Sequence, residues 1–280
     1  MRAEGPAALK RRLADFGPLE DNAFPPLETA LLVAALDRPG HAVEPYRAFL
    51  TGMAEDIRAG IAAAGTADAV TIADLLLEVL VRRHRFRSDD RDDDDIANAS
   101  LMNVIDTKCG VSDLLSLLLL GVARQAGLAV DGLAFPVRLL LRLEDQGGRR
   151  VILDPGAGMI IGPPEMRSLL KAATGVASEL EPAHYAALGS RPLLVRLQSE
   201  VKLRLLRAGR VQAALKVVET MLLFAPDLAL LWREAGLMHM RLDNIPGAVA
   251  ALEQFAARTP NAQARARTRA LLAELKGRLS

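Results

Sequence analysis

Residues 98–128 read NASLMNVIDTKCGVSDLLSLLLLGVARQAGL, and this stretch decides the fold of the first part of the chain. Its second half, Val111–Gln125, is apolar over a length that exceeds a typical strand and therefore predicts a buried α-helix. Three short apolar segments follow, at Val130–Leu133, Arg138–Leu143 and Val151–Asp154. Gln146-Gly147-Gly148 between the last two is typical of a hairpin turn. The sequence therefore predicts a three-stranded antiparallel sheet packed on this helix.

Helical periodicity dominates on both sides of the predicted sheet. Before it, we expect helices at Phe24–Leu36, Val43–Ala64, Val70–Arg82 and Ala99–Asp106. After it, the Pro163-Pro164 pair starts a helix that runs to Ala173. The fold class that follows is α+β and mostly helical, with a small antiparallel sheet in the first part of the chain.

The last third of the chain repeats itself with a period of 34 residues. Pro226 and Pro260 are separated by this distance, as are Ala214 and Ala248. The tetratricopeptide pattern is matched in the second unit by Trp232, Gly236, Ala248 and Pro260. The expected helices are Leu193–Ala208, Val211–Phe224, Leu228–Met240, Pro246–Arg258 and a capping helix Leu271–Leu279. Because two repeats bury little of their own apolar surface, we expect them to pack on the preceding domain or on a partner.

Charge supports a division of the chain near Arg191. The whole chain of 280 residues carries 35 Lys and Arg against 34 Asp and Glu. From Arg191 onward there are 15 basic and 7 acidic residues, so the acidic excess lies before that point. We expect a flexible segment at 1–20, a core domain at 21–190 and the repeats with their capping helix at 191–280.

Composition excludes several classes of protein. Hydrophobic residues make up 51% of the chain, which excludes a disordered protein. A single cysteine, Cys109, allows no internal disulfide, and the absence of a long apolar run predicts no membrane segment. We therefore expect a cytoplasmic protein. No phosphate-binding glycine loop is present, and no cofactor is expected.

The order of a helix start, a long helix, a strand, a hairpin and a strand is that of papain-like and transglutaminase-like cores. Residues 98–128, followed by DGLAFPVRLLLRL and VILDPGAG, resemble the SirB-type bacterial transglutaminase-like proteins that carry C-terminal tetratricopeptide repeats. The resemblance covers roughly residues 20–280. It rests on Asn98, Asn103, Ala123, Gly127, Pro136 and Asp154-Pro155.

The resemblance implies a Cys-His-Asp triad, and this chain departs from it at two positions. The nucleophile position falls on Ser112 and the histidine position on Arg138, whereas Asp154 matches the family's aspartate. Arg138 cannot act as a base, since an arginine side chain stays protonated in proteins. Ser112 fits equally well as a helix N-cap, and Arg138 with Asp154 fits a bidentate ion pair. Cys109 remains an alternative nucleophile only if a histidine from elsewhere in the fold reaches it.

Two functions therefore remain open for the chain as a whole. The first is a non-catalytic protein-interaction or regulatory protein whose repeats bind a protein or peptide partner, with Trp232, His239, Arg204 and Arg207 as the candidate contact residues. The alternative is a cysteine or serine amide hydrolase or amidotransferase that uses Cys109 or Ser112. A nucleic-acid factor is a weaker third possibility, because the basic C-terminal part has few aromatic residues. The sequence gives no indication of a small-molecule ligand.

Metal binding finds little support in the sequence. His41, His84, His184 and His239 do not share the close spacing of metal-ligand pairs. The acidic stretch Asp89–Asp95 lacks the glycine and the final glutamate of a calcium-binding loop. We expect the histidines to be structural, the acidic stretch to be a solvated loop, and no metal site.

Overall fold

The structure is a computed structural model that describes residues 3–65, 68–89 and 96–278. The predicted acidic loop therefore lies outside the described residues except for Asp89. The chain divides into two compact units. The first comprises Met1–Leu9 and Glu20–Leu197, and the second comprises Lys10–Leu19 and Gln198–Ser280.

The first unit is largely helical before and after its sheet. Its helices are α2 (Pro26–Asp37), α3 (Glu44–Ala64), α4 (Ala69–Leu77), α5 (Leu101–Thr107), α6 (Ser112–Gln125) and α7 (Pro163–Thr174). Short helical turns lie at Glu78–Arg83, where α4 continues as a π-helix, at Ile96–Ala99 and at Pro182–Tyr185. Helix α6 is buried along nearly its whole length and packs against α2 and α3, as its apolar sequence predicts.

The described strands form two sheets in the first unit. Strands β1 (Arg87–Ser88) and β2 (Cys109–Gly110) make a two-residue parallel pair. The main sheet contains β3 (Val130–Leu133), β4 (Leu141–Glu144), β5 (Arg150–Asp154), β6 (Met159–Ile161) and β7 (Ala187–Leu188). Its order is β6-β5-β4-β3-β7, and every neighbouring pair is antiparallel.

The two faces of the main sheet bury different residues because side chains alternate along a strand. On one face Ile152 packs in a cluster with Met166 and Leu170 of α7. On the other face Val151 and Leu153 pair with Leu143 and Leu141 of β4, and all four are buried. The sheet is thus covered on both faces, and the predicted α+β, mostly helical fold class is confirmed.

Two details of the predicted core are wrong. The strand expected at Arg138–Leu143 begins at Leu141, because Pro136 and the two residues after it form a bend before the chain becomes extended. The sheet also has two further strands, β6 and β7, on its edges. Both are only two or three residues long, which is too short for an alternating pattern to show in the sequence.

The N-terminal segment, for which the sequence predicts flexibility, contains a helix. Helix α1 spans Pro6–Asp15, with Leu9 and Leu13 both buried. The two leucines lie four residues apart and therefore share one face of the helix. This apolar face is buried in the structure, and flexibility of residues 1–20 as a whole stays a prediction.

The second unit consists of paired helices. Helix α8 (Ser190–Arg207) crosses the division between the units, and α9 (Val211–Phe224), α10 (Ala229–Arg241), α11 (Ile245–Arg258) and α12 (Ala262–Gly277) follow. Helix α10 packs on α9 and α11, and α11 packs on α12. Gly236 permits the close approach of α10 and α11, because a Cβ there would lie 2.7 Å from Leu252 Cγ. The capping helix begins nine residues earlier than expected, at Ala262 rather than Leu271.

None of the helices in the described ranges is long and apolar enough to cross a lipid bilayer. The longest, α3, spans Glu44–Ala64 and has only four buried residues, Leu50, Met53, Ala54 and Ile57. Five charged residues interrupt the rest of its length, as expected for a helix with one buried face: Glu44, Arg47, Glu55, Asp56 and Arg58.

Candidate functional site

The start of α6 meets the turn after β5, and this junction contains the predicted nucleophile position. Ser112 is the first residue of α6 and is 4% exposed. The backbone of Gly156 lies against it, since a Cβ on Gly156 would lie 2.5 Å from Ser112 Cβ. The Gly156 carbonyl in turn accepts a hydrogen bond from Ser88 Oγ at 2.9 Å. The nucleophile position is therefore covered by the Gly156 backbone.

Arg138 and Asp154 form an ion pair at the two remaining triad positions. Arg138 Nη1 donates to Asp154 Oδ2 at 3.2 Å, and the second carboxylate oxygen of Asp154 accepts the backbone N–H of Ala157 at 3.0 Å. The contact is monodentate, not bidentate as the sequence suggested. Asp154 is almost completely buried, whereas Arg138 is partly exposed. The guanidinium thus compensates the charge of a buried carboxylate.

Asp113 links the start of α6 to the loop that carries Arg138. Its Oδ1 accepts the backbone N–H of Leu139 at 2.6 Å, and its Oδ2 lies 3.2 Å from Arg196 Nε. The sequence indicated only a first-turn acid for Asp113, which the helix dipole favours. In the structure Asp113 also holds the backbone of Leu139, the residue after Arg138. No sequence signal identifies this contact, because the two residues are 26 positions apart.

Ser112 is not the N-cap of α6, although the sequence allowed that role. The N-cap residue is Val111, which makes no side-chain capping bond, and Ser112 is already inside the first turn. The serine hydroxyl is therefore one position too late to cap α6 in the usual way. An apolar residue occupies the cap position.

Cys109 lies in β2, three residues before Ser112 in the chain. Its thiol is free and half-buried. The backbone around it is held by Thr107, whose hydroxyl donates to the Cys109 carbonyl at 3.2 Å. Cys109 also pairs with Arg87 of β1 in the two-residue parallel sheet.

Three of the four histidine side chains, those of His84, His184 and His239, make contacts of their own away from this junction. His84 Nε2 lies 2.8 Å from Asp56 Oδ2, and His184 Nδ1 accepts the backbone N–H of Glu181 at 3.0 Å. His239 lies in the second unit. Within the described parts of the chain, no hydrogen bond joins the Cys109 thiol to any of these rings or to His41. In the same residues, no group of three His, Cys, Asp or Glu side chains is arranged to hold a metal ion.

Two of the four predicted partner-binding residues have structural contacts in the repeats. Trp232 Nε1 donates to the Pro226 carbonyl at 2.7 Å, and the Arg258 guanidinium lies over its ring. His239 is largely enclosed, with its Nε2 3.6 Å from Glu219 Oε1 and its Nδ1 3.1 Å from Asn244 Nδ2. Both side chains therefore make contacts within the repeats, and a role of either one in partner binding stays a prediction.

Arg204 and Arg207 both lie on α8, where Arg204 is half-buried and Arg207 is exposed. Leu203 on α8 is 39% exposed, while the most exposed apolar residues of the repeats lie on α10, where Leu230 is 67% and Leu237 is 46% exposed. Arg233 lies between them on the same helical face and is also exposed. The i, i+3, i+7 spacing of an apolar, a basic and an apolar residue is the signal in the sequence that identifies this surface.

Comparison with protein families assigns both parts of the chain. The model of the transglutaminase-like superfamily matches residues 44–199, and that of the tetratricopeptide repeat matches residues 201–273. The first match covers more than half of the chain. The chain belongs to the transglutaminase-like superfamily. Ser112, Arg138 and Asp154 all lie within the matched region, and the repeats follow it directly.

Several curated bacterial proteins resemble the chain, and all are named "UPF0162 protein". One from Vibrio cholerae serotype O1 is 28% identical over 167 residues, which cover 60% of this chain. That alignment spans only 62% of the relative's own length. A relative from Xylella fastidiosa strain Temecula1 is 24% identical over 251 residues. The alignment covers 85% of this chain and 85% of the relative. A second, from strain 9a5c, is 24% identical over 244 residues with 82% of each chain covered.

Proposed function

We propose that the chain is a non-catalytic transglutaminase-like protein whose tetratricopeptide repeats bind a protein or peptide partner. The single observation that carries the first half of the proposal is the ion pair of Arg138 with the buried Asp154. A catalytic triad needs an imidazole between the nucleophile and the aspartate. A guanidinium cannot accept a proton near neutral pH.

The rate that such a site would retain is small. A serine nucleophile is activated by an adjacent general base, and loss of that base in a serine hydrolase reduces turnover on the order of 10⁶-fold. Ser112 is in addition covered by the backbone of Gly156, so a substrate carbonyl has no direct approach to its hydroxyl. Both features favour a folded remnant of the triad over a working site.

The second half of the proposal rests on the repeats. Stacked helix pairs form extended surfaces that bind peptides and other proteins. Helix α10 exposes Leu230 and Leu237 with Arg233 between them, and exposed apolar residues that lie together on one face are typical of binding surfaces. We add this surface to the predicted contact residues Trp232, His239, Arg204 and Arg207.

An amide-turnover assay tests the absence of catalysis. The chain is incubated with a glutamine-containing peptide and a primary amine, and both ammonia release and amine incorporation are followed. We expect no turnover above that of the Ser112→Ala and Cys109→Ala variants. Turnover that either substitution abolishes would contradict the proposal and would support the amide hydrolase or amidotransferase alternative.

A separate binding assay tests the repeat surface. The full-length chain is used to capture proteins from an extract of its source cells, alongside a Leu230→Ser, Leu237→Ser double variant. Val176→Ser, which alters an exposed apolar residue of the first unit, is the matched control. We expect a partner that is retained by the control and lost by the double variant. Equal capture by all three chains would contradict the assignment of this surface.

A further inference from the structure

A cleft outside the triad positions lies at the end of α5. Its volume is about 510 Å³, which is within the range of ~300–1,000 Å³ of small-molecule sites. The connection between α2 and α3, the start of α3 and the end of α5 form its walls. The side chains that matter for its chemistry are His41, Tyr46, Phe49, Ile105, Asp106 and Lys108.

Lys108 enters this cleft from an unusual backbone conformation. It follows α5 with φ of 61°, in the left-handed region. Glycine is the usual residue at this position, because side chains with a Cβ rarely adopt such angles. The conformation directs the ammonium onto aromatic surfaces, with Nζ 3.8 Å from the ring centre of Phe49 and 4.7 Å from that of Phe86.

The Lys108 ammonium lacks an anionic partner among the residues that the structure describes. Within those residues it forms neither a hydrogen bond nor a salt bridge, and its contacts are the two aromatic rings. Burial lowers the pKa of Lys108, while the charge of Asp106 acts weakly in the opposite direction. A partly desolvated cation of this kind gains from an anion that enters the cleft.

Asp106 is already engaged and does not supply that anion. Its Oδ2 accepts hydrogen bonds from Arg38 Nη1 at 2.6 Å and from the Tyr46 hydroxyl at 3.0 Å. Arg38 Nη1 also donates to the Tyr46 oxygen at 3.3 Å. Within this network the positive charge of Arg38 compensates the negative charge of Asp106. Lys108 therefore adds to the cleft a positive charge that this network does not compensate.

The geometry points to a binding site in this cleft for a monocarboxylate with a small apolar body, with Lys108 as its counter-ion. Phe49 and Ile105 provide apolar contact for the body of the ligand. The ring of His41 makes no hydrogen bond with other described residues and can donate a second one to the carboxylate. A dianion such as a phosphate monoester is disfavoured, because Lys108 supplies a single positive charge and the second negative charge would have no counter-ion.

Calorimetric titration of the full-length chain tests the site with 3-phenylpropanoate and the uncharged 3-phenylpropanamide. We expect the acid to bind at least about tenfold more tightly than the amide, since a charge-assisted contact contributes ~1.5–3 kcal/mol. Lys108→Met keeps the length of the side chain and should remove this difference. Lys171→Met removes a lysine that pairs with Glu179 outside the cleft, and it should leave the difference intact.

The outcomes separate the site from a purely structural role of Lys108. If Lys108 only packs on Phe49 and Phe86, the acid and the amide bind equally weakly to the unmodified chain. That result would overturn the proposal without any variant, so it holds even if Lys108→Met fails to fold. Tighter binding of phenyl phosphate than of the carboxylate would also overturn it.

Discussion

Arg138 and Asp154, sixteen residues apart in the chain, form an ion pair in which the carboxylate is 2% exposed and the guanidinium reaches solvent. The aspartate also accepts the backbone N–H of Ala157, which fixes the turn that carries Gly156. A buried carboxylate without a compensating cation is costly. The pair therefore gives these two positions a structural role in this chain.

Removal of the cation should destabilise the first unit. We expect Arg138→Met to lower the free energy of unfolding by about 1–3 kcal/mol, less than for a fully buried pair because Arg138 is partly exposed. Urea unfolding followed by far-UV circular dichroism measures the change. Arg150→Met is the control, because its pair with Glu144 is exposed and should contribute little. An unfolding midpoint for Arg138→Met equal to that of the unmodified chain would contradict the structural role.

The close contact of Gly156 with Ser112 predicts a strongly coupled pair of substitutions. Gly156→Ala places a Cβ 2.5 Å from Ser112 Cβ and should cost about 1–3 kcal/mol through overpacking. Ser112→Gly removes both the Cβ and the hydroxyl that the new methyl group meets. Gly156→Ala should therefore cost much less stability in the Ser112→Gly chain than in the unmodified chain. Strictly additive effects in the unfolding experiment would show that the two residues do not touch.

Trp232 should stabilise the repeats through its indole nitrogen. Trp232→Phe keeps the aromatic contact with Arg258 but removes the donor to the Pro226 carbonyl. The expected loss is about 1 kcal/mol, the usual value for one hydrogen bond. Circular dichroism follows the unfolding of both chains, since the substitution removes the only tryptophan. If Trp232 instead serves the partner, the variant keeps full stability and loses partner capture.

Acid should weaken the hairpin that Asp145 holds. Its carboxylate accepts the backbone N–H groups of Arg149, Ala69 and Gly147. These bonds, with that of Arg149 contributing most, lower the pKa of Asp145 from its ordinary value of 3.8. A lowered pKa means that the stabilisation is complete above the ordinary value and is lost as the pH falls through the lower, folded-state value.

The comparison with Asp145→Asn measures this effect. We expect the unmodified chain to be the more stable of the two near neutral pH, and the difference to shrink as the pH falls below about 3.8. Urea midpoints determined at a series of pH values for both chains give the difference directly. If the difference in urea midpoint between the two chains stays constant down to low pH, the ionised carboxylate has no such role.

Much of the fold could be predicted because its signals are local. The apolar run of α6, the turn glycines of the hairpin and the 34-residue repeat each depend on neighbouring residues, and the structure confirms the elements they indicate. The edge strand β7 could not be predicted, since only Ala187 and Leu188 pair with the sheet. Such a short strand depends on a partner that is distant in sequence.

The candidate site was only partly accessible to sequence reasoning. The resemblance indicated Ser112, Arg138 and Asp154, and the structure places Arg138 against Asp154. The cover of Ser112 by Gly156 and the position of Lys108 could not be predicted, because both depend on backbone conformation. A non-glycine residue in the left-handed region leaves no signature in the residues around it.

Covalent labelling of the native chain tests the central claim, the absence of an activated nucleophile, most directly. Intact-protein mass spectrometry follows the rate at which iodoacetamide modifies Cys109 and a fluorophosphonate modifies Ser112, with the Cys109→Ala and Ser112→Ala variants as controls. We predict no fluorophosphonate adduct and alkylation of Cys109 no faster than that of a small-molecule thiol at the same pH. Rapid labelling of either residue that its own substitution abolishes would contradict the account.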